Sequence, residues 1–213
     1  CTMEEVIWTK EYKTERYARL NKTADKGAVL FSVSSLMEMF PVEKFAEEDK
    51  LPVTVYNRGV GGFVTDELIE NINTCIIDLQ PSKLFINIGT NDLSDASRSM
   101  EYIMGNYSRI IEEVKRSVPG VKLYFMAYYP VNYDAAAPEM KDCLKIRSNE
   151  KIALANAEVK KLAERSGGKY IDVNDPLKDE QGRLRAEFTI EGMHINEEGY
   201  RAVYPLVKKY ILE

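Results

Sequence analysis

The stretch "VLFSVSSLMEMFP", from Val29 to Pro41, reads as a strand that leads directly into a helix. An apolar run is followed by the serines Ser32, Ser34 and Ser35, and then by apolar residues at helical spacing. A serine in the first turn of a helix has a free backbone N–H beside its hydroxyl, so it can supply a nucleophile and an oxyanion donor together. The same serine could equally be an ordinary N-cap. The stretch therefore predicts a strand–turn–helix unit and leaves its chemistry open.

The rest of the chain repeats this unit. Short apolar runs alternate with longer amphipathic stretches, which predicts right-handed crossovers and a parallel sheet covered on both faces. The predicted strands are Ala28–Ser32, Val53–Asn57, Lys83–Ile88, Val121–Ala127 and Lys169–Val173, and the predicted helices are Thr65–Leu79, Met100–Ser117, Arg147–Ser166 and Glu197–Leu212. We expect a three-layer α/β/α fold with about five parallel strands.

The chain has 213 residues, which suits one domain spanning residues 1–213. A helix-like stripe over Met3–Asn21 predicts an N-terminal helical extension, residues 1–24, packed on that domain. The region Tyr128–Leu144 is long and irregular, and such loops are usually functional or mobile. A homodimer through the helix or this loop is one option.

Composition narrows the partners. The chain is 45% hydrophobic and 30% charged, which is typical of a soluble globular protein, and no apolar run is long enough to span a bilayer. A formal net charge of −5 without a basic stripe argues against nucleic acid. We expect a small-molecule substrate and a cytoplasmic location.

The three cysteines are Cys1, Cys75 and Cys143, and they are too few and too scattered for a disulfide framework. We expect reduced, buried thiols. Cys1 stands where a translation product has Met, so it could be a cloning remnant. Alternatively, it could be the lipid-modified first residue of a bacterial lipoprotein, anchored at a membrane surface.

Polar and small residues follow two further predicted strands. "NRGVGG", from Asn57 to Gly62, exposes backbone N–H groups that suit an oxyanion. "NIGTND", from Asn87 to Asp92, places the Asn91 amide where it could donate to developing negative charge. The C-terminal ends of parallel strands line one crevice, so these groups would lie together. A plain glycine turn and an Asx turn are the ordinary alternatives.

His194, the only histidine, lies in "TIEGMHINEEGY". Glu191 precedes it by three residues, so its carboxylate could bond one ring nitrogen and leave the other free as a base. A lone histidine is ordinarily a surface or satisfied core residue. Together with the serine, glycine and asparagine candidates, however, it completes the groups needed for acyl transfer: a nucleophile, a base with its orienting acid, and oxyanion donors.

From about Ala28 onward, "GTND" and the acid-x-x-His followed by "NEEGY" make the chain resemble the SGNH hydrolases, the GDSL-type esterases and acylhydrolases. The resemblance implies a flavodoxin-like fold with strand order 2-1-3-4-5 and neither a metal nor an organic cofactor. It implies Ser35 as nucleophile and His194 as the catalytic histidine. The implied oxyanion donors are the amides of Ser35 and Gly62 and the side chain of Asn91.

Two departures from the family pattern matter. Val33 replaces the usual glycine of the Gly-Asp-Ser block, so the turn must use negative-φ geometry there or carry strain, and the side chain could narrow the crevice. Glu191 replaces the usual aspartate and is one methylene longer, which costs more side-chain entropy to hold still. A triad with Glu191 and a Ser–His dyad both remain open.

The resemblance implies hydrolysis of short-chain carboxylic esters through an acyl-enzyme, including acetyl groups on carbohydrates or small lipids. Tyr128, Tyr129 and Tyr133 could stack on a sugar, although packing is the commoner role of such residues. One alternative is a catalytically impaired domain that binds an ester or glycan. Another, a flavodoxin-like nucleotide binder, is disfavoured because no phosphate-loop pattern is present.

Overall fold

A computed structural model describes residues 9–213 and shows five parallel strands in the order β2-β1-β3-β4-β5. The predicted fold class and strand order are confirmed. The strands are β1 Val29–Ser32, β2 Val55–Asn57, β3 Lys83–Ile86, β4 Lys122–Met126 and β5 Lys169–Ile171. Each is shorter than predicted, because the flanking apolar residues belong to the turns.

Helices cover both faces of the sheet. They are α1 Lys10–Asn21, α2 Ser35–Glu38, α3 Val42–Glu48, α4 Thr65–Glu70, α5 Ile72–Cys75, α6 Thr90–Leu93, α7 Met100–Ser117, α8 Lys141–Ile146, α9 Asn149–Ser166 and α10 Glu197–Leu212. Short 3₁₀ helices span Ile77–Leu79, Pro138–Met140, Asp175–Leu177 and Ala186–Phe188. Within residues 9–213, no helix is both long and apolar enough to cross a membrane.

The predicted helix Thr65–Leu79 is broken. Asn71 adopts φ −116° and ψ 20°, and its side-chain Nδ2 donates to the carbonyl of Glu67 at 2.9 Å. An asparagine side chain that bonds to nearby backbone competes with the helical ladder, so one predicted helix becomes α4, α5 and a 3₁₀ turn. Similarly, Arg147 ends α8 instead of starting a helix, and Ser148 caps α9 by accepting from the Lys151 N–H.

An aromatic stack crosses the middle of the sheet and fixes its register. Phe31 of β1, Phe85 of β3 and Tyr124 of β4 are register partners, and successive ring centroids lie 4.6 Å apart. All three side chains are buried. Because cross-strand pairs set the register, the C-terminal ends of β1 and β3 finish level with each other.

The N-terminal helix packs against the glycine-rich loop that follows β2. The Tyr17 hydroxyl of α1 donates to the carbonyl of Gly59 at 2.6 Å, and the Arg58 guanidinium lies over the Tyr17 ring. Residues 1–8 lie outside the described residues, and with them Cys1 and the start of the predicted Met3–Asn21 helix. Among the described cysteines, Cys75 is buried and Cys143 is partly buried, and both are free thiols.

Candidate active site

Ser35 is the first residue of α2, at the C-terminal end of β1. Its Oγ lies 3.3 Å from the Nε2 atom of His194, which is 159 residues further along the chain. The other two serines point elsewhere. The Ser32 hydroxyl donates to the carbonyl of Cys75 at 3.1 Å, and the Ser34 hydroxyl is buried. Of the three serines, Ser35 is therefore the one beside a potential base.

The turn into α2 contains Val33, at the position where the family pattern has glycine. Val33 has no positive φ, and the strained position is Ser34, with φ 112°. The Val33 side chain is fully buried and belongs to the hydrophobic core. It therefore adds no surface that narrows a crevice. Val33 itself avoids positive φ, but the turn carries strain at the next residue, Ser34.

His194 is held from the opposite side by Glu191. Glu191 Oε2 lies 2.5 Å from His194 Nδ1, and Oε1 accepts the backbone N–H groups of His194 at 2.6 Å and Met193 at 3.1 Å. Burial alone would raise the pKa of Glu191, but the hydrogen bonds from the backbone and ring of His194 outweigh it and lower that pKa. The longer glutamate side chain therefore holds both the His194 ring and the backbone of its turn.

The turn that carries His194 is braced by the loop after β4. The Asn132 N–H donates to the carbonyl of Gly192 at 2.8 Å, and the Ala137 N–H donates to the carbonyl of Glu191 at 3.1 Å. Both contacts are between backbone groups. They tie the turn of His194 to the loop after β4.

The glycine-rich loop is clamped onto α2. A Cβ on Gly59 would lie 2.3 Å from the backbone nitrogen of Glu38, so only glycine fits there. The Gly61 N–H donates to Glu38 Oε1 at 2.7 Å, and Lys13 pairs with the same carboxylate at 2.9 Å. Gly62 follows with φ +81°, and within residues 9–213 its N–H donates to no other group.

Asn91 is the second residue of α6, beyond the end of β3. Its Nδ2 donates to the carbonyl of Phe63 at 3.0 Å, which places the amide beside the residue that follows Gly62. It forms no Asx turn. The neighbouring Asp92 is fully buried and accepts the Thr65 N–H at 3.0 Å, which ties α6 to the start of α4.

Burial raises the pKa of Asp92, and hydrogen bonds from Thr65 and the charge of Arg98 oppose that shift. Arg98 Nη1 donates to Asp92 Oδ2 at 3.0 Å. Asp92 therefore acts in the fold as a paired, buried carboxylate that locks the helix of Asn91 in place.

Three supporting residues were missed by the sequence reasoning: Glu38, Lys13 and Arg147. Glu38 bonds a residue 23 positions away, and Arg147 donates to Asn91 from 56 positions away. No local pattern marks such contacts.

Within residues 9–213, no group of three or more His, Cys, Asp or Glu side chains is arranged to hold a metal ion.

The predicted sugar-stacking tyrosines are mostly core residues. Tyr128 and Tyr129 are 0% and 1% exposed, and the Tyr128 hydroxyl donates to the carbonyl of Ile88 at 2.6 Å. They cannot stack on a ligand, so packing is the correct interpretation for both. Tyr133 is 37% exposed.

Comparison with known proteins places this fold in a family. The family model for GDSL-like lipases and acylhydrolases matches residues 40–202, well over half of the chain, and begins just after Ser35. A search of the curated proteins returned no match. The chain belongs to the GDSL-like lipase/acylhydrolase family.

Solved structures agree with this assignment. A Streptococcus pneumonia protein, described only provisionally as a platelet activating factor, is 30% identical with a TM-score of 0.84, over 95% of this chain and 92% of that chain. A GDSL-like lipase from Bacteroides thetaiotaomicron is 22% identical with a TM-score of 0.76, over 93% and 97%. The fold is also shared by an acetylxylan esterase from Geobacillus stearothermophilus, at 14% identity and a TM-score of 0.67, over 88% and 95%.

Proposed function

We propose that this protein is a serine esterase that cleaves short-chain carboxylic esters through an acyl-enzyme on Ser35. The observation that carries the proposal is the position of His194, whose two ring nitrogens lie 3.3 Å from the Ser35 hydroxyl and 2.5 Å from the Glu191 carboxylate. A hydroxyl, an imidazole and a carboxylate in this order form a nucleophile, a general base and an orienting acid.

The chemistry proceeds in two halves. His194 Nε2 takes the hydroxyl proton as Ser35 Oγ bonds to the ester carbonyl carbon, and the carbonyl oxygen becomes an oxyanion. The amides of Ser35 and Gly62 and the side chain of Asn91 stabilise that oxyanion. Collapse releases the alcohol, which takes the proton from His194. Water, deprotonated by the same histidine, then hydrolyses the acyl-enzyme and releases the acid.

The fold relatives support the substrate class less directly than the site geometry supports the catalytic residues. Those relatives include proteins described as an acetylxylan esterase and a GDSL-like lipase, at 14% and 22% identity, where only the fold is shared. Short acyl chains are proposed as the default. A panel of p-nitrophenyl esters of increasing acyl length, together with acetylated sugars, tests this: the highest kcat/KM should fall on acetyl or propionyl groups.

The first test of function is the release of p-nitrophenol from p-nitrophenyl acetate. The wild type should give a burst equal to the enzyme concentration, and Ser35→Ala should lose the burst and at least about 10³-fold in kcat. Ser32→Ala is the matched control, because Ser32 is buried three residues away and bonds to Cys75. Equal slow rates for wild type and Ser35→Ala would reject the esterase and favour a binding domain.

A further inference from the structure

Arg147 is a buried cation beside the candidate oxyanion donor. It lies between α8 and α9 and is 3% exposed. Its Nε donates to Ser94 Oγ at 2.7 Å, and its Nη2 donates to Asn91 Oδ1 at 3.2 Å. Among the residues that the structure describes, no carboxylate forms an ion pair with it. A buried guanidinium without a carboxylate partner is costly, so its presence calls for a reason.

The contacts of Asn91 allow only one orientation of its amide. Arginine has donors and no acceptor, so the Asn91 oxygen must face Arg147. The Phe63 carbonyl can only accept, so the Asn91 nitrogen must face the glycine-rich loop, where they lie 3.0 Å apart. One hydrogen of that nitrogen is used by Phe63. The second hydrogen has no acceptor among the described residues and remains for a ligand atom.

The charge of Arg147 reinforces this orientation. Burial lowers the pKa of Arg147 to about 10, and electrostatic interactions with Cys143 and Glu191 oppose the shift, so the group stays protonated at neutral pH. A positive charge bonded to the amide oxygen draws electron density from the amide. In a site with little water, this strengthens the N–H as a donor.

We propose that Arg147 is a positioning residue of the esterase reaction: it fixes the Asn91 amide with its nitrogen toward the oxyanion and strengthens it as a donor. The inference rests on the proposed function above. Because Arg147 has almost no exposed surface and acts through Asn91, its effect should appear in the transition state and not in substrate binding.

The test compares Arg147→Met, Arg147→Lys, Asn91→Ala and the double variant Arg147→Met/Asn91→Ala on p-nitrophenyl acetate. Asn91→Ala should lower kcat by roughly 10²- to 10³-fold. Arg147→Met should lower kcat by at least about tenfold with KM nearly unchanged, and the double variant should be no slower than Asn91→Ala. Arg147→Lys keeps the charge and should recover part of the loss.

Lys83→Met controls for the removal of a buried cation. Lys83 is 8% exposed, starts β3 at the opposite end from Asn91, and donates to the carbonyls of Tyr210, Ile211 and Glu213. Its loss should lower stability and leave kcat unchanged when rates are measured well below the melting temperature of each variant.

The outcomes separate the two proposals. If Ser35→Ala retains the wild-type rate, the esterase proposal itself fails. Other outcomes would leave the esterase standing and reject the role of Arg147, provided that Ser35→Ala is inactive. They are a wild-type kcat in Arg147→Met, an increase in its KM alone, or a loss of kcat in the double variant equal to the product of the two single losses.

Discussion

Glu191 shows how one longer side chain can serve three hydrogen bonds. Its carboxylate meets the His194 ring with one oxygen and two backbone N–H groups with the other. Their spacing in the sequence suggested that Glu191 could bond His194, and the family resemblance implied the same pair. The sequence left open whether glutamate would be held still enough, because side-chain entropy opposes such order and only the folded turn supplies the compensating bonds.

The lowered pKa of Glu191 has a predictable effect on stability. A carboxylate whose pKa is lower in the folded state stabilises the fold above its unfolded pKa, and loses that contribution as pH falls through the folded pKa. Wild type should therefore exceed Glu191→Gln in free energy of unfolding near pH 7, and the gap should narrow as pH falls through the acidic range in which the folded carboxylate becomes protonated. Urea unfolding of both proteins over this range measures it. A gap that stays constant or widens would contradict the assignment.

At the scale of elements, the helix bounds that depend on local signals were predictable. The observed α7 and α10 match the predicted Met100–Ser117 and Glu197–Leu212, since each has a strong apolar face and a side-chain cap from Ser99 or Asn196. The Thr65–Leu79 prediction failed at Asn71, where a side chain bonds to the backbone of the preceding turn.

The position of the site at one sheet edge was predictable, but the individual side-chain contacts between elements were not. The serine, glycine, asparagine and histidine candidates could be placed at one edge of the sheet because parallel strands align their C-terminal ends. Glu38 and Arg147 looked like ordinary charged helix residues, and their partners Gly61 and Asn91 come from other connections. A single sequence carries no signal for such pairs.

The clamp between the glycine-rich loop and α2 yields a prediction at this scale. In Gly59→Ala, the new Cβ would meet the backbone of Glu38 at 2.3 Å, so the loop must move away from α2. We expect a loss of about 1–3 kcal/mol in the free energy of unfolding, together with lower esterase activity. Denaturant unfolding and p-nitrophenyl acetate hydrolysis measure the two effects.

Gly105→Ala is the matched control for that substitution. Gly105 is exposed in α7, and a Cβ there would have no neighbour within 4 Å. The change should stabilise the protein by up to about 1 kcal/mol, because alanine is the better helix former. Wild-type stability in Gly59→Ala would show that the loop can yield without cost.

For the whole molecule, Cys75 offers a probe of opening. It is fully buried, and burial raises the pKa of its thiol to about 12. In a Cys1→Ser/Cys143→Ser background, a thiol reagent at neutral pH should label Cys75 at least about 10³-fold more slowly than it labels the denatured chain. At urea concentrations below the unfolding transition, the rate of Cys75 labelling should rise in proportion to the fraction of globally unfolded molecules. Rapid labelling without urea would reveal a local opening at α5.

The braces under His194 run from main chain to main chain, from Asn132 to Gly192 and from Ala137 to Glu191. Amide and carbonyl groups are common to nearly every amino acid, so mutations can accumulate in this loop without loosening the imidazole. Residues 133–135 are exposed and could thus be exchanged while the loop keeps its length, whereas Ala136 is buried against Gly192 and could not. On the proposed function, such exchanges would alter the surface met by an ester and keep the alignment of His194.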